Sequence, residues 1–253
     1  MRALITNDDG IHTAGLQTLA QVAVKAGLDV IVAAPHVERS GASASLTALE
    51  EGGRLVLHEE SLDGLDGVRA LGVEATPGFI AFAAAHRAFG PPPDILLSGV
   101  NHGPNTGNAV LHSGTVGAAL TARTHGASSL AVSNVAPSPE HWDTAAEMAE
   151  RSLTWLLEHM GDDPLTLSVN VPDIPLSECK GLRAARLAAF GAVQADVGEA
   201  GEGYVTMTFS EVDEEAEPGT DAYLLAEGWA TVTSLAAPCE AEAVDLSGLA
   251  EPG

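Results

Sequence analysis

Residues 2–34 constrain the fold more tightly than any other stretch. RALIT (2–6) reads as a short buried strand. TAGLQTLAQVAVKA (13–26) carries apolar residues at helical spacing and is closed by Gly27, and DVIVAA (29–34) is a second buried strand. Strand, helix and strand in so few residues make a β-α-β unit, which requires a parallel sheet. The alternation continues downstream. A helix is predicted over residues 77–89, stopped by Gly90 and three prolines, followed by the strand DILLS (94–98). GTVGAALTARTHG (114–126) is helix-like, LAVSN (130–134) is a strand, residues 140–159 form a long helix, and LTLSVNVP (165–172) returns to strand. The expectation is an α/β fold built on a parallel sheet.

Beyond residue 180 the pattern changes and alternation appears, in YVTMTF (204–209) and WATVTSL (229–235), with an acidic, glycine-containing stretch between them. This predicts an antiparallel β extension on the α/β body. The expected division is a body over 1–190, an extension over 191–239 that returns to the body, and an acidic tail over 240–253. No apolar run approaches the roughly 18 residues that cross a bilayer. The opening Arg2 and its strand do not resemble a secretory signal. Cys179 and Cys239 are isolated, which suggests neither a zinc site nor a disulfide framework, so a cytoplasmic protein is expected. The net charge of −24, with no Lys or Arg after Arg186, argues against nucleic acid or an anionic membrane as partner. It leaves room for a small anion held by a metal and by backbone N–H groups.

Ligands in open parallel sheets sit outside the carboxyl ends of the strands. Three polar, glycine-containing loops follow three predicted strands: NDDG (7–10), PHVERSGASAS (35–45) and SGVNHGPNTGNAVLHSGTVG (98–117). Because each follows the C-terminal end of its strand, all three can converge on one sheet edge. Asp8 and Asp9 supply hard anionic oxygens suited to Mg²⁺, Mn²⁺ or Ca²⁺. Ser40 and Asn101 stand at matching positions in the other two loops as neutral oxygen donors. Ser113, Gly114 and Thr115 precede a helix, whose N-terminus accepts a phosphate without needing Lys. Each element alone has a simpler reading. Asp8 and Asp9 could serve a turn or a cap, Ser40 a loop, and Asn101, Asn105 and Asn108 left-handed turn positions. His12, His36, His102 and His112 lie in or near these loops and read individually as structural or solvated residues.

Taken together, ITNDDGIHTAGLQTLA, AAPHVERSGASASLT and LLSGVNHGPNTGNAVLHSGTVGAALTA, in that order, resemble the SurE family of survival proteins, the 5'/3'-nucleotidases. LSVNVP (167–172), PGTD (218–221) and GWATVTSL (228–235) extend the resemblance over nearly the whole chain. It implies a Rossmann-like three-layer α/β body with a C-terminal antiparallel β-hairpin extension used in dimer or tetramer assembly. It also implies hydrolysis of nucleoside 5'- and 3'-monophosphates, and of short polyphosphate in some members. The implied cofactor is one divalent ion per subunit, Mg²⁺ or Mn²⁺, with Ca²⁺ as a crystal substitute. Carried over by motif, Asp8, Asp9, Ser40 and Asn101 are metal ligands, and Asn105, Ser113, Gly114 and Thr115 contact phosphate. Asp8 or Asp9 would accept the proton of the attacking water. Departures fall at Asn108 and His112, where family members commonly carry aspartate and tyrosine, at EATPGF (74–79), and before GWATV, where only Asp221 of a longer acidic pattern remains. A nucleotide-binding protein with little turnover is the competing reading. A receiver-like signalling domain fits less well, because Ser98 and Asn101 stand where its phospho-accepting aspartate belongs.

Overall fold

Apolar runs with no polar face become central strands, covered on both sides by helices. β1 (Arg2–Thr6) leads through α1 (Ala14–Lys25) to β2 (Asp29–Pro35), which pairs parallel to it with Leu4 opposite Ile31. In the computed structural model, which describes residues 1–52, 54–189, 193–201, 204–211, 217–236 and 238–239, the remaining elements follow in order. Two-residue strands β3 (Glu50–Glu51) and β4 (Arg54–Leu55) form a ribbon of their own. β5 (Leu57–Glu60) and β6 (Arg69–Val73) extend the main sheet, and α2 (Pro77–Ala85) leads to β7 (Ile95–His102). A 3-10 turn (Gly107–Leu111) then precedes α3 (Gly114–Thr124), β8 (Ser128–Asn134), α4 (Trp142–His159) and β9 (Thr166–Val171). β10 (Leu182–Ala184), the hairpin β11 (Val193–Gly201) and β12 (Tyr204–Glu211), α5 (Asp221–Ala226) and β13 (Ala230–Leu235) complete the chain.

The main sheet has nine strands in the order β10-β13-β9-β8-β7-β1-β2-β6-β5. From β1 the chain first moves outward through β2, then returns to β7 on the other side. The topological switch therefore falls between β1 and β7. α1 and α4 cover one face, packing Leu16, Leu19, Met148 and Leu153 against it, while α2 and α3 cover the other with Ile80, Ala84, Val116 and Ala119. These are the three expected layers. A wholly buried central leucine such as Leu97 contributes about 2–3 kcal/mol through burial alone.

The differences from sequence lie at element ends and edges. β7 runs on through Asn101 and His102, residues expected in a loop, with a shift of register against β8 between Ser98 and Asn101. Gly99 makes that continuation possible: at φ +121, a Cβ there would lie 2.1 Å from the Val132 carbonyl oxygen. YVTMTF forms β12 and pairs antiparallel with β11, as expected of a hairpin. WATVTSL does not join that hairpin. As β13 it enters the main sheet, antiparallel to β9 and parallel to β10. Alternation alone does not distinguish these placements. The expected tail over 240–253 lies outside the described residues.

Candidate active site

Asn7 ends β1 and closes the turn after it. Its side chain, wholly buried, accepts from Gly10 N (3.2 Å) and donates to Gly10 O (3.0 Å) and to the Thr13 hydroxyl (2.8 Å). The turn is thus secured without using the carboxylates of Asp8 and Asp9. Asp8 is 3% exposed, and its carboxylate sits at the N-terminus of α3. The Thr115 hydroxyl donates to Asp8 Oδ1, and backbone N–H groups of Gly114 and Thr115 also face the carboxylate. A Cβ at Gly114 would lie 2.8 Å from Asp8 Oδ2, so glycine is what lets the helix end seat on the acid.

Asp9 faces the end of β7, where its Oδ2 accepts from His102 N at 3.3 Å. Asn101, one residue earlier, donates through Nδ2 to Gly103 O (2.8 Å), and its Oδ1 lies 3.4 Å from the Thr115 hydroxyl. Asp8, Asp9, Asn101, Gly114 and Thr115 therefore meet at the switch point between β1 and β7. Ser113 caps α3, its hydroxyl accepting from Val116 N at 3.1 Å. Ser40 is on the neighbouring loop, which is tied to the pair by Arg39 N donating to Asp8 O at 2.7 Å. The Ser40 hydroxyl itself is exposed and donates to Glu38 Oε1 at 2.7 Å.

Asn105 is buried behind this cluster. Its Nδ2 donates to Ser133 Oγ (2.8 Å), and its backbone exchanges hydrogen bonds with the Asn170 amide at 2.8 and 3.0 Å. Ser133 and Asn170 were not singled out from sequence; the only signal was a polar residue inside each of two apolar strands. Asp221 is a second such anchor, 1% exposed, accepting from Gly107 N (2.8 Å) and Ala188 N (2.9 Å). It fastens the start of the 3-10 turn to the C-terminal part of the chain. Asn108, on the same turn, donates to Ala189 O.

Electrostatics identify what this cluster lacks. Burial pushes the Asp8 carboxyl above the usual range, opposed by the Thr115 hydrogen bond. Desolvation, and then the charge on Asp8, push Asp9 up to about 7. Among the described residues no basic side chain is paired with either acid. Adjacent oxygen donors, desolvated and uncompensated, are the donor set of a hard divalent cation, so Asp8, Asp9 and Asn101 fit such an ion. A raised carboxyl pKa favours the folded state below the ordinary carboxylate range and loses that advantage as pH rises through about 7. Cation-free protein is therefore expected to lose about 2–4 kcal/mol of stability from this group between about pH 4 and about pH 7. Denaturant melts of the wild type and of Asp9→Asn check it. The difference between their pH profiles should be confined to that window and shrink on adding Mg²⁺; parallel profiles would refute it.

An α/β sheet with an acidic pair at its switch point, capped by a helix N-terminus, defines a Rossmann-like protein able to hold a cation and an anionic group side by side. The chain belongs to the SurE family: residues 3–192 match the family described as Survival protein SurE. It is 41% identical to the 5'-nucleotidase SurE of Aeromonas hydrophila subsp. hydrophila over 187 residues, covering 74% of this chain and 72% of that one. The 5'/3'-nucleotidase SurE of Shigella dysenteriae serotype 1 is 42% identical over 186 residues, covering 74% and 69% respectively. The 5'-nucleotidase SurE of Methylococcus capsulatus aligns further, at 37% over 242 residues, covering 93% of this chain and 91% of that one. The crystal structure of the SurE protein from Aquifex aeolicus superposes with a TM-score of 0.78 at 26% identity, covering 93% of both chains.

Proposed function

We propose that this chain is a divalent-cation-dependent phosphomonoesterase acting on nucleoside 5'- and 3'-monophosphates, releasing nucleoside and phosphate. The observation that carries the reading is the uncompensated Asp8–Asp9 pair packed against the N-terminus of α3. Asp8, Asp9 and Asn101 would hold the cation, Mg²⁺ or Mn²⁺, with Ser40 turning from Glu38 to join them. The cation supplies charge neutralisation at the phosphoryl oxygens and acidifies water. Gly114 and Thr115 at the helix end, with Ser113 and Asn105 setting the shape of the turn, receive the phosphate. Of the two aspartates, Asp9 would accept the proton of the attacking water. Asp8 is occupied by Thr115 and the helix end, whereas among the described residues Asp9 accepts only the 3.3 Å bond from His102 N.

The names of the curated relatives support the substrate class, since those proteins are 5'- or 5'/3'-nucleotidases. Activity on short polyphosphate, assembly of copies through the β11–β12 hairpin into a dimer or tetramer, and a cytoplasmic setting belong to the same proposal. No described helix is long and apolar enough to cross a membrane. The test is a panel of phosphomonoesters assayed with Mg²⁺, with Mn²⁺ and in excess EDTA. Nucleoside monophosphates should outpace simple sugar phosphates, and EDTA should stop release. Nucleotide binding without phosphate release under every metal condition would overturn the enzyme reading.

A further inference from the structure

A second constellation of chemistry-bearing side chains lies outside the acidic pair, on the opposite flank of β2. Three neighbouring strands, in the order β2-β6-β5, bring it together. His36 follows the end of β2, Glu74 follows the end of β6, and His58 lies on β5. Backbone hydrogen bonds fix all three positions: His36 N to Val73 O (2.9 Å), Glu74 N to Val56 O (3.1 Å), and the antiparallel register placing His58 opposite Gly72. One donor atom from each of His36, His58 and Glu74 lies within 4.8 Å of the others.

The geometry points to a zinc-class metal site at His36, His58 and Glu74, separate from the Asp8–Asp9 cluster. Three observations carry it. First, His58 Nε2 and Glu74 Oε1 are 3.3 Å apart, which is close to the edge of a tetrahedron with metal–ligand bonds of about 2.0–2.1 Å. Second, His36 Nδ1 is buried and makes no hydrogen bond among the described residues, a costly state for an imidazole nitrogen. Glu60 Oε1 lies 3.6 Å from it, a further oxygen donor within reach of a side-chain rotation. Third, the surroundings orient the donors. Arg39 sits 3.6 Å from Glu74 Oε2, leaving Oε1 turned to His58, and His12 lies 3.2 Å from Glu60 Oε2. Carboxylates and cations in this outer position are what hold metal ligands in register.

The donor chemistry separates this site from the other one. Two imidazoles and a carboxylate suit Zn²⁺ and its borderline neighbours, whereas the all-oxygen set at Asp8, Asp9 and Asn101 suits Mg²⁺ or Mn²⁺. The His36 and His58 side chains are 35% and 40% exposed, so an ion enters from solvent and keeps an open coordination position. Their rings now stack at a centroid distance of 4.1 Å, and closing on a shared ion requires them to turn edge-on. Occupancy would pin the start of the loop carrying Ser40 to the β5–β6 edge. The site stands whether or not the chain hydrolyses phosphate.

The test titrates Zn²⁺ calorimetrically into the full chain, stripped with chelator and held in excess Mg²⁺ to fill the oxygen site. Co²⁺ visible spectra report the nitrogen donors. The expected result is one Zn²⁺ per chain that Mg²⁺ does not displace, weakened at least tenfold in His58→Ala and in Glu74→Gln, and kept in Asp9→Asn. His58 is on an edge strand and Glu74→Gln is isosteric, and circular dichroism verifies that both variants are folded. Zinc binding unchanged in both variants, zinc binding lost in Asp9→Asn, or the absence of a Mg²⁺-resistant equivalent would each overturn the site.

Discussion

Asp8→Asn is expected to lower phosphate release from a nucleoside monophosphate by about 10²–10³-fold or more while leaving the protein at least as stable as the wild type. The two halves of that expectation have one cause. Asp8 is a carboxylate at 3% exposure with Asp9 beside it and, among the described residues, no basic partner. Removing its charge relieves desolvation and repulsion, and the asparagine oxygen still accepts from Thr115 and the helix end. Stability is thus retained or gained, which is the usual relation where a functional site is electrostatically strained. Activity moves the other way, because the cation loses an anionic ligand. Thermal melts in EDTA, paired with assays at saturating Mg²⁺ or Mn²⁺, measure both. A destabilised variant would mean that Asp8 serves mainly as a helix cap. Full activity would mean that the chemistry lies elsewhere.

How much of this was legible in the chain follows from what kind of signal each part leaves. The parallel body was legible because buried strands such as ILLS and LAVS are continuous apolar runs, and because Gly27 and Gly126 stop the helices between them. The acidic pair was legible because carboxylates at a strand end are conspicuous. Asn101 lies beside Thr115 at the Asp8 end of the cluster, but in a strand and not in the expected loop. Its SGVN setting looks like a loop, while β7 in fact continues through it on the strength of Gly99. Strands β5 and β6 were not assigned: LHEE is a short edge strand, and RALGV is a five-residue run lying between β2 and β5, parallel to one and antiparallel to the other.

That omission hid the second metal site altogether. His36 and His58 are 22 residues apart in sequence and become neighbours only through the β2-β6-β5 order, so His36 alone reads as a structural or solvated residue and His58 draws no notice. Asp221 and Asn170 were similarly invisible as anchors. A buried polar residue announces that it has partners, but strand order decides which ones.

Gly15→Ala is expected to damage the fold and the site together. Gly15 lies in the first turn of α1, just after the NDDG turn, and a Cβ there would come 2.1 Å from the Val100 carbonyl oxygen, 3.1 Å from Val100 C and 3.2 Å from the Trp142 ring. Two of those contacts are backbone atoms, so no rotamer change relieves them. The close approach of α1 to β7 is therefore a contact that only glycine permits. Alanine is ordinarily the better helix former, by about 1 kcal/mol, and helix propensity alone would predict stabilisation. Overpacking against fixed backbone opposes this with about 1–3 kcal/mol or more, and here the clash is severe enough to win. The helix must move away from β7, separating the turn that carries Asp8 and Asp9 from the strand end that carries Asn101. The expected result is a melting temperature lowered by roughly 3–10 °C, together with weaker Mg²⁺ or Mn²⁺ binding that persists at temperatures where the variant is folded. Gly161→Ala, with nothing within 4 Å of the added carbon, is the control and should leave both unchanged. A Gly15→Ala variant that melts like the wild type would show that α1 and β7 do not hold the two halves of the site in register.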